Sequence, residues 1–462
     1  MIAGTSGTVL ILAQAPDDSL APAATGSGAS CYAKPTRTTI EMTETRDQKF
    51  DVVVIGAGPA GCAAATIIAR GGRRVALVER EARPSYRVGE SLIPFCWYPL
   101  NRLGLVDSVA DSKFVVVKNS VQFASIDGRV SKPFYFFQHT DHPCARTWQV
   151  VRKEFDQLLL DNARDAGATY FPETSVKELL HADTGAVRGV HVIDRDGNEF
   201  DLAASVTIDA SGRDTFSQTQ LRWRERDKEL RKHAIWTYYE GALRDEGVDE
   251  GTTTIAYLPD ASWFWFIPLP NNQASVGLVG DKEYLFRDTR DSQKIFDREV
   301  LLQGWISKRL ENARRVDDFR VTSDFSYRSR HCAADGLVLV GDAFSFLDPV
   351  FSSGVYFALY SGVIGADATL AALDANDTSA ARFEEYGIKF REQMEPMRRL
   401  VYAFYDQGFN FGKFLKKYPD FRRDLTDCLI GDLDRDFTAF FEAVGESANI
   451  PDPLPHGGPL LS

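Results

Sequence analysis

Residues 51–79, DVVVIGAGPAGCAAATIIARGGRRVALVE, constrain the fold of this chain more than any other stretch. A β-branched run at 52–55 enters a glycine turn, Gly56, Gly58 and Gly61, and small residues from 60 to 65 open a helix. A second apolar run at 75–78 ends on Glu79. The order strand, turn, helix, strand gives each glycine a task. The first makes the tight turn, the second lets the backbone approach a pyrophosphate, and the third lets helix and strand pack closely. Helix N-termini carry unpaired amides and a partial positive charge suited to phosphate. Gly56, Gly58, Ala60 and Gly61 are therefore candidate dinucleotide contacts. Glu79 stands at the ~20-residue spacing of a carboxylate that takes a ribose hydroxyl.

A second turn of this kind lies late in the chain, in GLVLVGDAFSFLDPVFSSG at 336–354. An apolar strand at 337–340 breaks at Gly341 and Asp342, and Ser352, Ser353 and Gly354 open a long helix of small residues. Asp342 is placed for a ribityl or ribose hydroxyl, and the amides after Pro349 make a second anion-friendly helix start. Two such turns fit a cofactor lying extended, which favours FAD over NAD, because a flavin needs a site for its ring as well as for adenine. Between them, a strand breaks at Ala210, Ser211 and Gly212, where backbone can come close to a nucleotide. Arg152, at a strand-to-helix junction, is a candidate phosphate contact, with plain solvation of a helix start as the other reading.

The remaining stretches are read in order. Residues 88–103 hold a loop and then a helix starting at Glu90 or Ser91, with Trp97, Leu100 and Leu103 on its apolar face. Residues 114–123, FVVVKNSVQF, read as one strand with Lys118 set among valines. Such a lysine either snorkels at a sheet edge or sits desolvated, where its pKa falls and its amine becomes a usable nucleophile. Asp196-Gly197 marks a hairpin. The mixed charges of 220–233 suggest a solvated helix or connection. In SWFWFIPLP, Trp263, Trp265 and Ile267 fall on one face of a strand and Phe264 and Phe266 on the other, with Pro268 and Pro270 ending it. After residue 375 the chain reads as helical and aromatic, either core or pocket wall.

Composition sets outer bounds. The chain has 462 residues, 44% hydrophobic and 26% charged, with room for two or three domains. A net charge of −12 offers no electrostatic reason to expect nucleic acid or an anionic membrane. No uninterrupted apolar run reaches the ~18 residues of a bilayer span. The six cysteines are scattered without a CxxC pair, so neither zinc nor any other metal site is expected, and a reducing cytoplasm is the simplest compartment. Residues 1–48 read as a disordered, linker-like extension, with Met42 as an alternative start.

Taken together, GAGPAG with Glu79, VGESLIP, the strand lysine, WxWxIP and GDAxxFxDPVFSSG resemble the flavin-dependent halogenases, within the FAD monooxygenases of para-hydroxybenzoate-hydroxylase-like fold. The resemblance covers nearly all of residues 50–375. WxWxIP, matched by Trp263, Trp265, Ile267 and Pro268, is its specific mark, and Lys118 stands five residues before an aromatic, Phe123. The resemblance implies reduced FAD delivered by a flavin reductase and oxidation of chloride or bromide to hypohalous acid. It implies passage of that acid to a catalytic Lys118, a barrier made by Trp263 and Trp265, and a halide site at Ser353 and Gly354. One position departs from it. Phe351 stands where tryptophan halogenases have a catalytic glutamate, which turns the expected substrate from indole to a phenol or pyrrole, often tethered to a carrier protein.

The expected fold is α/β. A Rossmann-like FAD-binding domain (49–117, 147–233 and 326–375) carries an inserted antiparallel β-sheet substrate domain (118–146 and 234–325) and a helical C-terminal region (376–462). An aromatic hydroxylase, or an alkene reductase of the geranylgeranyl type, is the competing enzyme reading, and neither has a use for Lys118. A flavin-binding scaffold without catalysis is the third.

Overall fold

A computed structural model describes residues 49–84, 87–323, 326–454 and 457–461. The reading of 1–48 as a disordered extension lies outside the described residues.

The strands Val52–Ile55 and Val75–Val78 form as expected and pair in parallel, in a six-stranded sheet with Val206–Asp209, Leu337–Leu339, Thr169–Phe171 and the short antiparallel edge strand Ala333–Ala334. All four residues of the first strand are buried, as in a parallel sheet covered on both faces. The helix Pro59–Arg70 leaves the glycine turn and packs beside the long helix Gly354–Asp374. Two of the turn's three glycines admit no side chain. Gly56 has φ +98°, and a Cβ on Gly61 would stand 1.8 Å from the Gly56 carbonyl oxygen. Among the described residues Gly354–Asp374 is also the one helix long and apolar enough to cross a membrane, its most apolar 18-residue window having mean hydropathy 1.3, yet 67% of that window is buried inside the protein. Its apolar character serves the core.

A mostly antiparallel eight-stranded sheet holds the tryptophan strand Trp263–Leu269 between Thr253–Tyr257 and Gln273–Asp281. The face alternation read from sequence holds. Trp263, Trp265 and Ile267 join the main core, and Phe264 and Phe266 pack with Phe296 and Trp305 on the other side. Gly277, opposite Trp265, makes room for the indole, because a Cβ there would lie 2.1 Å from the ring. Pro268 does not end this strand, which runs on to Leu269. The Thr253–Tyr257 ladder stops at Phe266, so Pro268 borders one partner strand only and its missing N–H costs no ladder bond.

Three further expectations are corrected. Residues 114–123 are two strands: Val115–Lys118 pairs with Thr147–Val150, and after Asn119 the chain changes sheets into Ser120–Ala124. The helix expected at Glu90 or Ser91 begins only at Pro94, because Leu92 N–H donates to the Trp148 carbonyl and Val150 N–H to that of Glu90, holding 90–92 extended. The charged stretch 220–233 contributes strand, Arg224–Arg226, and delivers a buried Lys232 to Lys232–Glu240. Its charges are partnered: Lys232 Nζ lies 2.9 Å from Asp281, and the Arg224 guanidinium lies 4.1 Å from the Tyr327 ring. The C-terminal part is helical, led by Glu384–Tyr405. Five of the six cysteines fall among the described residues, and all five are free and buried.

Candidate active site

A cavity of about 1140 Å³ runs from the glycine turn to the tryptophan strand. Gly56, Gly58 and Glu79 line one end, Arg152 and Asp342 its middle, and Trp263, Trp265, Ser352 and Gly354 the other. Ala60, Gly61, Gly341 and Ser353 lie outside that lining. They shape the turns behind it: Ser353 is 1% exposed, directly before the helix start at Gly354.

The nucleotide end is held by backbone. The Ala57 N–H donates to Glu79 Oε2 at 2.9 Å and the Glu81 N–H to Oε1 at 2.9 Å, which fixes the carboxylate at the strand end. A Cβ on Gly58 would meet nothing within 4 Å, so the backbone there faces open cavity. This open cradle at a helix N-terminus, continuous with a second turn at Asp342, fits an extended dinucleotide. Burial raises the Asp342 carboxyl to about 6. Arg152 lines the cavity with three of its five N–H groups used. Its guanidinium is paired with Asp156 through two hydrogen bonds of 2.9 Å, and Nη1 donates to the Val88 carbonyl.

The lysine end is held by side chains. Lys118 is 2% exposed, while the valines before it are only half-buried, the reverse of a hydrophobic ranking. Its Nζ donates to Ser91 Oγ at 2.9 Å and to the Leu92 carbonyl at 3.0 Å, and stands 5.6 Å over the Phe136 ring. Desolvation lowers its pKa to about 7, so the neutral amine is well populated near neutrality. Lys118 does not itself line the cavity; Ser91 does, with Thr253 2.9 Å from its hydroxyl. Gln149 Nε2 donates to Thr253 Oγ1 and to the Gly251 carbonyl, each at 2.8 Å. With Lys118 and Leu92 as donor and acceptor on one side and Thr253 on the other, Ser91 accepts from the amine and shares its remaining hydrogen bond with the Thr253 hydroxyl, which leaves the lone pair of a neutral Lys118 free.

The tryptophans stand across this end. Trp263 Nε1–H donates to Tyr405 Oη at 3.0 Å, and Tyr405 O–H donates to Asp348 Oδ2 at 2.9 Å. Asp348 also accepts from the Val350 N–H at 3.1 Å, and burial raises its carboxyl to about 7. One hydrogen-bond chain therefore joins the tryptophan strand, the last residue of Glu384–Tyr405 and the loop that leads through a left-handed Ser352 (φ 58°) to Gly354. Trp265 Nε1–H donates to Ser275 Oγ at 3.1 Å. Phe351 is buried against Phe404 and Phe411.

Sequence reasoning missed Ser91, Thr253, Gln149, Asp348 and Tyr405. Ser91 and Asp348 lie inside quoted motifs, which is a signal. Thr253, Gln149 and Tyr405 reach the site only through distant pairings and carry none.

Fold and cavity define an FAD-binding oxidoreductase with a desolvated amine one hydrogen bond from its cavity. The sequence profile described as tryptophan halogenase matches residues 51–148 and 126–410, and the chain belongs to that family. It is an FADH2-dependent halogenase, which sets aside the hydroxylase and alkene-reductase readings. A 1H-pyrrole-2-carbonyl-[peptidyl-carrier protein] brominase of Pseudoalteromonas luteoviolacea is 32% identical over 333 residues, 71% of this chain and 79% of the relative. The corresponding chlorinase of Pseudomonas fluorescens is 27% identical over 409 residues, 84% of this chain and 90% of the relative. The solved structure of the flavin-dependent brominase Bmp2 superposes with a TM-score of 0.78 at 26% identity, over 86% of this chain and 99% of that one.

Proposed function

We propose that this halogenase substitutes an electron-rich pyrrole or phenol presented on a carrier protein, with Lys118 as the residue that hands over the halogen. The observation that carries the reading is the Lys118 amine, desolvated and hydrogen-bonded to a serine that lines the cavity. When bound, FAD reduced by a separate flavin reductase supplies, with oxygen, the two-electron oxidation of chloride or bromide to hypohalous acid. Gly56, Gly58 and the Pro59–Arg70 helix start would hold the pyrophosphate, with Ala60 and Gly61 shaping the turn. Glu79 and Asp342 would take hydroxyls, with Gly341 setting the second turn. Arg152 would give the middle of the cofactor positive charge while staying paired with Asp156. The amides of Ser353 and Gly354 would hold the halide.

The neutral Lys118 amine attacks the halogen of hypohalous acid, forming an N–X bond and releasing water. The ring then takes the halogen and gives its proton back to the nitrogen, so amine and arene exchange one hydrogen for one halogen. Trp263 and Trp265 keep the ring out of the cofactor cavity. Phe351 supplies no base, which suits a ring that stabilises its own cation through nitrogen or oxygen. Two relatives named for carrier-bound pyrrole support the substrate class. We also assign residues 49–117, 147–233 and 326–375 to cofactor binding and 118–146 with 234–325 to the substrate side.

The test uses the protein with FAD, a flavin reductase, NADH and bromide or chloride, and a carrier loaded with pyrrole-2-carboxylate, read by mass spectrometry. Lys118→Ala should lower halogenation about a thousandfold, the scale of losing an essential acid, base or nucleophile, with FAD affinity unchanged. Full activity in that variant would remove Lys118 from the reaction.

A further inference from the structure

The chain is acidic overall, at −12, yet residues 411–424 hold five cations, Lys413, Lys416, Lys417, Arg422 and Arg423, against Asp420 and Asp424. All five cations are exposed, on the helix Phe411–Lys417 and the start of Arg422–Ile430. Lys417 is paired with Glu446 at 2.9 Å, and Arg423 lies 3.9 Å from Asp427. Among the described residues Lys413, Lys416 and Arg422 have no carboxylate within ion-pair distance.

This corner sits over the lysine end of the site. The Arg422 guanidinium is 5.7 Å from the Phe134 ring, and two residues on, Phe136 carries Lys118 Nζ at 5.6 Å from its ring. Phe134 meets Phe123 edge-on at 6.0 Å, and Phe123 meets Phe411, which opens the helix bearing Lys413 and Lys416, at 6.0 Å. Surface cations and the buried amine are thus separated by a short aromatic wall. A carrier domain brings the complementary chemistry: an acidic surface, an anionic phosphodiester at the root of its arm, and an aromatic ring at the arm's tip.

We propose that Lys413, Lys416, Arg422 and Arg423 are the docking surface for an acidic carrier domain, with Arg422 receiving the phosphodiester where the arm turns in along Phe134. The assignment rests on the carrier-bound reading above. Complementary charge of this kind steers encounter and sets orientation, so its loss appears in KM and in salt dependence before it appears in kcat.

The experiment compares two substrates bearing the same pyrrole-2-carbonyl group, one on a carrier protein and one as the free pantetheine thioester. The enzyme is the full chain with FAD, reductase, NADH and halide. The triple substitution Lys413→Glu, Lys416→Glu and Arg423→Glu should raise KM for the carrier substrate at least about tenfold and leave the thioester's kinetics unchanged. The neutral set Lys413→Gln, Lys416→Gln and Arg423→Gln should give a smaller rise, and added salt should raise the wild-type KM for the carrier substrate alone. If wild type turns over the carrier substrate and the reversed charges change nothing, the docking assignment falls while the carrier reading stands. If wild type ignores the carrier substrate and accepts only the free one, the carrier reading falls and takes this assignment with it. Altered self-association with unchanged carrier KM would mean the surface meets a second copy, and would also overturn the assignment.

Discussion

The two ends of the cavity are built on opposite plans. At the glycine turn the contacts are backbone: amides of Ala57 and Glu81 hold Glu79, and a glycine faces open space at Gly58. At the lysine end a relay of side chains runs from Gln149 through Thr253 and Ser91 to Lys118, anchored at its two ends on the Gly251 and Leu92 carbonyls. Backbone sites form wherever the local chain forms, because their donors are part of the fold. The lysine site exists only when strands far apart in sequence have met, and a buried polar chain of that kind costs stability wherever it is incompletely satisfied. The orphaned Gln149 Oε1 is one such cost.

The widest separation between the two plans is expected at the glycines. Gly58→Ala places a methyl group in open cavity and should leave the melting temperature of the flavin-free protein unchanged. FAD binding, read by fluorescence quenching, should weaken on the order of a hundredfold, since the second glycine is where the backbone approaches the pyrophosphate. Gly61→Ala, whose Cβ would lie 1.8 Å from the Gly56 oxygen, should destabilise the fold itself. Equal loss of stability in both variants would mean that the turn at Gly58 is packed, and the contrast between the ends would disappear.

An intermediate effect is expected in the hydroxyl chain. Thr253→Val keeps the shape and removes the hydroxyl bonded to Ser91, so the serine that accepts from Lys118 loses the partner that orients it. Halogenation should slow by about tenfold, the scale of one lost hydrogen bond that positions a reacting group, and its pH profile should shift while FAD affinity stays put. Thr253→Ser should restore the wild-type profile. A Thr253→Val enzyme with an unaltered profile would show that Ser91 is oriented by something else.

The difference in plan also decides what could be read from sequence. Gly56, Gly58, Gly61 and Glu79 were legible because their spacing is set inside one βαβ unit, although the neighbour that crowds Gly56 is the distant Ala210, and the alternation of Trp263, Trp265 and Ile267 with Phe264 and Phe266 follows from strand period alone. Lys118 was legible only as two alternatives until its resemblance to a known pattern chose one. The run of valines before it suggested one strand, and nothing local announced the change of sheets at Asn119. Ser91 and Thr253 are 162 residues apart and Gln149 and Thr253 are 104 apart, so their meeting is a property of register between sheets. Pro268 was misread for a related reason: whether a proline ends a strand depends on where the neighbouring ladder stops.

The smallest effect tests whether the lysine end carries its cost in stability. The Lys118 pKa falls from 10.5 to about 7 on folding. Between those values the unfolded chain holds a proton on this side chain that the folded chain has released, so stability rises with pH across that window. Below about 7 the folded protein must bury the ammonium, and the penalty is then complete. The groups facing the amine do not cancel this. The titratable group whose field reaches the amine is Cys96, and burial keeps that thiol neutral, its pKa pushed up to about 12. Lys118→Met keeps the volume and removes the charge. It should therefore melt higher than wild type below pH 7, on the order of 5 °C, with the gap closing as pH approaches 10. Calorimetry of the flavin-free proteins gives both curves. Parallel curves across that range would mean that Lys118 stays charged in the fold, and the amine would then have to act as a hydrogen-bond donor to hypohalous acid instead of as its nucleophile.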